Sequence, residues 1–254
     1  MPICIVGGIN MPNWMRCRMQ VKNTDFEAFV KIYVQKDKIG NPQFDLNLIE
    51  RMPKDLEMEK GARQKDALRI EVTARCPYVS YYGKKEEKLS IQDFRKWMIL
   101  MYGKDFIEII NTVVLNADEI KEILAEYGQN EIKELRKIAA KCEYNMKNYG
   151  YRDWYDWAIA HWGTKWNTLD TVVDHEKQHL DWMSPWTCPV EALTTLSSQY
   201  PNYEITLEYA EERPGYIAGK LVLRNGKRVL DDQFLPYSSE AHAMYNKLWN
   251  NCEY

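Results

Sequence analysis

The sequence predicts an α+β protein: a ferredoxin-like, split βαβ antiparallel sheet with a large, mostly helical insertion and a C-terminal helix. Two observations carry this. A β-α-β pattern opens the chain, and a second one, followed by a hairpin, closes it, which is the order of a split βαβ sheet. Between the two, apolar residues recur at helical spacing. The expected organisation is an extension over 1–10 that lacks a periodic signal, then one domain over 11–254. Its sheet is formed by 11–49 and 168–254, and its helical insertion by 50–167.

The elements follow in chain order. Met15, Cys17, Met19 and Val21 alternate with Arg16, Arg18, Gln20 and Lys22, the period-2 pattern of a strand with one buried face. Thr24 and Glu27 have the spacing of a capping box, and Phe26, Phe29, Val30 and Tyr33 give the helix that follows its apolar stripe. After the break at Gly40-Asn41-Pro42, alternation over Phe44, Leu46 and Leu48 predicts a second strand of the main sheet. In the insertion, Ile120, Ile123, Leu124 and Tyr127 form a helical stripe ending at Gly128, a favoured residue just past a helix. Asn130 and Asp153 are expected to cap the next two helices. Residues 169–174 and 179–183 read as a strand and its returning partner. Thr187, with Pro189 in the first turn, suits the start of a helix carrying Val190, Leu193 and Leu196. Ile205 and Leu207 alternate with Glu204, Thr206 and Glu208. Asn225-Gly226 suits a type I′ hairpin turn. Ser238 or Ser239 starts a last helix with Ala241, Met244, Tyr245, Leu248 and Trp249 on one stripe.

Composition limits the function. The chain has 254 residues, 34 basic and 37 acidic side chains and a net charge of −3. That balance gives no general attraction to nucleic acid or to an anionic membrane. No apolar run reaches the ~18 residues of a membrane span, and the first ten residues lack the form of a signal peptide. The six cysteines contain no CxxC pair and read as free thiols of a reducing compartment. The expectation is a cytoplasmic protein. Met11-Pro12 offers a second possible start, and the run from Lys84 to Lys88 reads as a solvated loop.

His175-Glu176-Lys177-Gln178-His179 matches the H-E-x-x-H pattern, in which two histidines one helical turn apart bind zinc and the glutamate acts as base. That chemistry needs a helix. Here β-branched Thr171-Val172-Val173 precedes the motif and Ser184-Pro185 follows it closely. The expectation is a polar hairpin tip, with zinc binding at His175 and His179 the lesser alternative. No other catalytic motif stands out, and no cofactor is expected. Residues 148–167, NYGYRDWYDWAIAHWGTKWN, hold four Trp and three Tyr. They read either as a packing joint or as a recess for a ring-bearing ligand. The candidate binding residues are Trp14, Trp154, Trp157, Trp162, Lys165, Trp166 and Asn167, with at least one ring edge expected to stay open beside Lys165 or Asn167.

Met11-Pro-Asn-Trp14, the segment 148–167, the strand Ile205–Glu212 and the short Met52-Pro53 element resemble a family of phage and plasmid accessory proteins with a YubB-type ferredoxin-like domain. The resemblance runs from Met11 through most of the chain. It implies a ferredoxin-like fold and a mobile-element origin, and supplies no catalytic residues. Where that family has Trp-Ser-Pro-Pro, this chain has Trp182-Met-Ser-Pro-Trp186. The function expected is that of a non-enzymatic accessory protein that binds a host macromolecule or a small nucleotide-like ligand, blunting a host defence. A metal- or acid-dependent hydrolase and a single-stranded nucleic-acid binder are the alternatives, the last without support from charge.

Overall fold

The computed structural model describes residues 12–79, 87–104 and 106–250. The extension over 1–10, the alternative start at Met11 and Lys84-Lys85-Glu86 lie outside the described residues, as do Cys4 and Cys252. The chain forms two compact units, Met1–Met52 with Trp157–Tyr254, and Pro53–Asp156.

In the first unit β1 (Trp14–Lys22) leads to α1 (Phe26–Tyr33), and the chain returns after the helical unit through β4 (Leu169–Asp174) and β5 (His179–Pro185). Then follow α7 (Val190–Gln199), β6 (Glu204–Glu211), β7 (Ala218–Arg224) and β8 (Lys227–Gln233). Strand order is β4-β5-β1-β6-β7-β8, with every neighbour antiparallel. The first four strands of that order, with α1 and α7, make the ferredoxin-like pattern, and the β7–β8 hairpin extends it. Asn225 and Gly226 have φ of 49° and 68°, as the expected I′ turn requires.

Alternation separates two faces. On one, Met15, Cys17 and Met19 of β1 stand opposite Ser184, Trp182 and Leu180, and all six are buried. Phe29 of α1 stacks near Phe44, whose ring lies 5.0 Å from that of Trp182. Ala192, Leu193 and Leu196 bury one side of α7. On the other face, α8 (Ser239–Tyr245) and the wide turn over 246–250 pack Ala241, Met244 and Leu248 on Ala210 and Ala218. On the same face, one row crosses five strands in register as Asp181, Arg18, Glu208, Lys220 and Asp232, and Lys247 of the turn bonds Glu208. The row's charges alternate in sign, and opposite charges across strands favour that register.

Three local expectations are corrected. The stretch Phe44 to Leu48 is not a strand of the main sheet: β3 (Pro42–Phe44) pairs with β2 (Val34–Lys36) in a separate two-stranded ribbon. Residues Leu46–Leu48 form a 3-10 turn capped by Asp45. Side chains bind this segment where a ladder would otherwise run. Thr171 Oγ1 accepts from Phe44 N at 2.9 Å, and Thr168 Oγ1 donates to Phe44 O at 2.6 Å. Asp25 rather than Thr24 caps α1, accepting from Ala28 N, because Thr24 Oγ1 is engaged with the Tyr203 hydroxyl. Thr187 does not cap α7, which has no side-chain cap. Its hydroxyl donates to Gly163 O at 2.6 Å.

The second unit is helical: α2 (Ala62–Arg75), α3 (Ile91–Tyr102), α4 (Phe106–Val113) and α5 (Ala117–Tyr149). Gly128 breaks α5 with φ of 71° and ψ of 165°, at the place the sequence marks. The core gathers Leu68, Val72, Trp97, Met98, Leu115 and Leu135. Asn116 and Glu119 form a capping box at the start of α5. The helix α6 (Trp154–Trp162) begins after Asp153, whose carboxylate accepts from Tyr155 N, as expected of a cap. Among the described residues, no helix is long and apolar enough to cross a membrane.

Candidate functional site

The predicted aromatic residues do not share one environment. Trp157 and Trp162 are each 4% exposed. Their rings meet edge to face at 5.4 Å, and His161 stacks on Trp157 at 4.4 Å. Trp162 Nε1 donates to Glu50 O at 2.9 Å, and His161 Nδ1 lies 2.6 Å from the Glu50 carboxylate. Both indoles are therefore walled in. Asn167 serves as a clasp: its carbonyl accepts from Leu46 N and Thr168 N, and its amide donates to Asp45. Trp154 lies in the helical unit with its ring 5.6 Å from that of Tyr155. Trp14 stands at the start of β1, opposite Pro185.

Lys165 and Trp166 lie elsewhere, beside a residue outside the expected set. Trp166 and Trp186 have ring centroids 5.8 Å apart, and Lys165 Nζ sits 4.8 Å and 4.7 Å from the two rings. Trp186 is 39% exposed, and its φ is +60°, a conformation that bulky side chains seldom adopt. Trp186 N is tied to Asn13 O at 2.8 Å. The bend from β5 into α7 is set by buried hydroxyls. Ser184 Oγ donates to Thr187 O at 2.6 Å and meets Thr164 Oγ1 at 3.0 Å, while Thr164 Oγ1 donates to Pro185 O. Gly163 closes the joint with φ of +79°. A Cβ there would stand 3.1 Å from Glu191 N and 3.2 Å from Val190 N.

Trp186 lines a recess of ≈ 330 Å³ at the start of α7. That lies within the range of small-molecule sites. Its floor is apolar, from Met15, Ile217 and Leu221, with Tyr209 and Cys188 beside them; Glu191, Arg228, Asp231 and Gln233 supply its polar groups. Arg228 bonds Asp231 at 3.0 Å and Glu191 at 3.4 Å, so the one guanidinium is shared between two carboxylates. Burial pushes Tyr209 up to about 12, with Cys188 and Asp231 adding to it. Its phenol stays neutral and able to donate. The recess offers a ring face, an apolar floor and a slight excess of acceptors, which suits a flat, neutral or cationic group.

A second recess, of ≈ 400 Å³, lies within the helical unit. Lys65, Arg69 and Arg152 line it together with Gln64, Tyr102 and Thr112, so its charge is positive. Arg152 sits 5.7 Å from the Tyr102 ring, and Arg69 bonds Glu119 at 2.7 Å.

His175 and His179 flank a hairpin turn between β4 and β5, not a helical turn. His175 is bonded to Glu27 at 2.7 Å on the surface. His179 is 5% exposed, within 3.8 Å of Asp174 and 3.6 Å of Asp181. Asp181 takes two bonds from Arg18, at 2.8 and 2.7 Å. Among the described residues no three His, Cys, Asp or Glu side chains are grouped to hold a metal ion.

Trp186, Cys188, Tyr209 and Arg228 escape a reading of the sequence because they are spread over 43 positions, and only the sheet register and the α7 bend bring them together. The nearest signal was the Trp at the end of Trp182–Trp186, where the resembled family has proline.

No curated protein sequence matches the chain. Among solved structures, protein api92 from Yersinia pseudotuberculosis is aligned over 88% of this chain and 98% of its own, at 14% identity and a TM-score of 0.38, too distant to carry an argument. Residues 161–249, which run from the end of α6 to the turn after α8 and include all of the recess but Met15, match the family model described as the ferredoxin-like domain in Api92-like protein.

Proposed function

We propose that this chain acts by binding, without catalysis, and that the recess under Trp186 takes a flat ring-bearing group: a nucleobase or nucleoside, or an aromatic or guanidinium side chain of a host protein. One observation carries the reading. A large exposed indole is held in a strained backbone conformation at the mouth of an apolar-floored recess, and such strain persists where the surroundings enforce it, often at functional sites. Stacking on a ring of this kind contributes ~1–3 kcal/mol per base. The setting we propose is that of a phage or plasmid accessory protein acting in the host cytoplasm against a host defence. The sequence resemblance of Met11–Trp14, 148–167 and Ile205–Glu212 supports it.

The sheet face that carries α8 supports this choice over single-stranded nucleic acid. Ferredoxin-like sheets that bind RNA present aromatic rings on their strands, whereas the row from Asp181 to Asp232 presents charges of alternating sign. A second reading has its own observation: the positive recess of the helical unit suits the phosphate of a nucleotide-like ligand. Native mass spectrometry after incubation in bacterial lysate, followed by titration with nucleosides and nucleoside monophosphates, tests both. A ligand lost in Trp186→Ala supports the sheet recess. One lost instead in Arg152→Glu supports the helical recess. Binding that survives both substitutions overturns both readings.

A further inference from the structure

We propose that Cys17 and Cys188 form a peroxide-oxidisable dithiol, closing to a disulfide between the middle of β1 and the bend that enters α7. The inference does not rest on the ring-binding reading. The two residues are 171 positions apart, yet Cys17 Sγ donates to Cys188 Sγ at 3.2 Å. Both are free and buried. A disulfide needs ~2.05 Å between sulfurs, so one sulfur must advance by roughly 1 Å. Cys188 is placed to make that movement: it lies in irregular chain between β5 and α7, whereas Cys17 is held on both sides by β5 and β6.

The pair is asymmetric in a way that orders the chemistry. Cys188 lines the recess and is 7% exposed, while Cys17 is 0% exposed. Hydrogen peroxide is small enough to enter that recess. The Cys188 thiolate attacks one peroxide oxygen, the O–O bond breaks, and hydroxide leaves with the proton that the thiol gave up, as water. Cys188 is then a sulfenic acid. Cys17 Sγ attacks Cys188 Sγ, the S–O bond breaks, and the departing hydroxide takes the Cys17 proton as a second water. Two thiols have given two electrons to one peroxide, yielding one disulfide and two waters. Burial and the contact with Cys188 hold the Cys17 thiol well above its ordinary pKa, so it stays protonated and is not the thiol that peroxide oxidises first. The bond would draw Cys188 toward the sheet and reshape the recess wall.

The test treats the reduced full chain with hydrogen peroxide, blocks remaining thiols with N-ethylmaleimide and maps the peptides by non-reducing mass spectrometry. The expected product is a single linked pair of peptides containing Cys17 and Cys188, ~2 Da below their summed reduced masses, and reversed by dithiothreitol. In Cys17→Ala, Cys188 should instead be trapped by dimedone as a sulfenic acid. In Cys188→Ala, Cys17 should stay reduced. The wild-type experiment stands alone should either variant unfold. Full maleimide labelling of both cysteines in peroxide-treated wild type, dimedone on Cys17, or linkage of either residue to Cys4, Cys76, Cys142 or Cys252 would overturn the proposal.

Discussion

Two kinds of tryptophan occur in this part of the chain, and burial separates them. Trp157 and Trp162 are enclosed, so truncating either to alanine should leave a large cavity and cost ~3–5 kcal/mol. Trp186 is 39% exposed, and Trp186→Ala should change stability by less than about 1 kcal/mol while removing the ring-bearing ligand. Urea denaturation beside a binding assay separates the two outcomes; a collapse of stability in Trp186→Ala would make that ring a packing element. A second residue-scale prediction concerns His179. Burial lowers its pKa, although Asp181 and Asp174 pull the other way. The folded state then resists a proton that the unfolded chain accepts. Its contribution is full above the ordinary imidazole value of about 6.5 and is lost as the pH falls below that value. The thermal midpoint should drop between about pH 7.5 and pH 5 by more in the wild type than in His179→Gln; equal drops would show that the imidazole is not the group responsible.

At the scale of elements, what was legible in the sequence was whatever periodicity and turn chemistry decide. β1, β6, the Asn225-Gly226 turn, the break at Gly128 and the Asp153 cap all appear where apolar spacing or a special residue marks them. Phe44 to Leu48 failed because three apolar residues at alternate positions cannot tell a short strand from a 3-10 turn. Asp45 capping and the Asn167 clasp decided it, and those partners are more than 100 positions apart. Thr187 failed as a cap for a similar reason: Gly163 O, distant in sequence, claims its hydroxyl. The recess was hidden because the bend that builds it is a contact between Gly163 and the first amides of α7. Gly163→Ala tests that contact. It would combine an unfavourable left-handed φ with backbone overlap at a site that has little room to relax, for a loss of about 2–4 kcal/mol. Ligand affinity should fall with it, because the start of α7 forms the recess wall. A thermal melt unchanged from wild type would show that the bend is looser than the geometry requires.

At the scale of the whole molecule, the ferredoxin-like sheet is assembled from segments that flank the helical unit in sequence. β1 pairs with residues at least 161 positions away, as Met19 with Leu180, so the sheet depends on non-local pairing, which is slow to form. Yet the two segments of the sheet unit meet close to where the helical unit is inserted: Trp162 Nε1 donates to Glu50 O at 2.9 Å, and His161 bonds the Glu50 side chain. The helical unit has its own core, from Leu68 through Leu135 to Cys142, and in the sheet unit Phe29, Phe44 and Trp182 pack ring against ring and are buried. A chain in which residues 53–156 are replaced by a flexible linker of roughly ten residues should therefore fold cooperatively, since closing a short loop costs little and lengthening it adds only slowly. The shortened protein should give a single urea transition, retain the Cys17–Cys188 proximity and keep the Trp186-dependent ligand. Loss of that transition, with the far-ultraviolet signal of a strand-poor chain, would mean that the sheet depends on the helical unit to hold its two segments together.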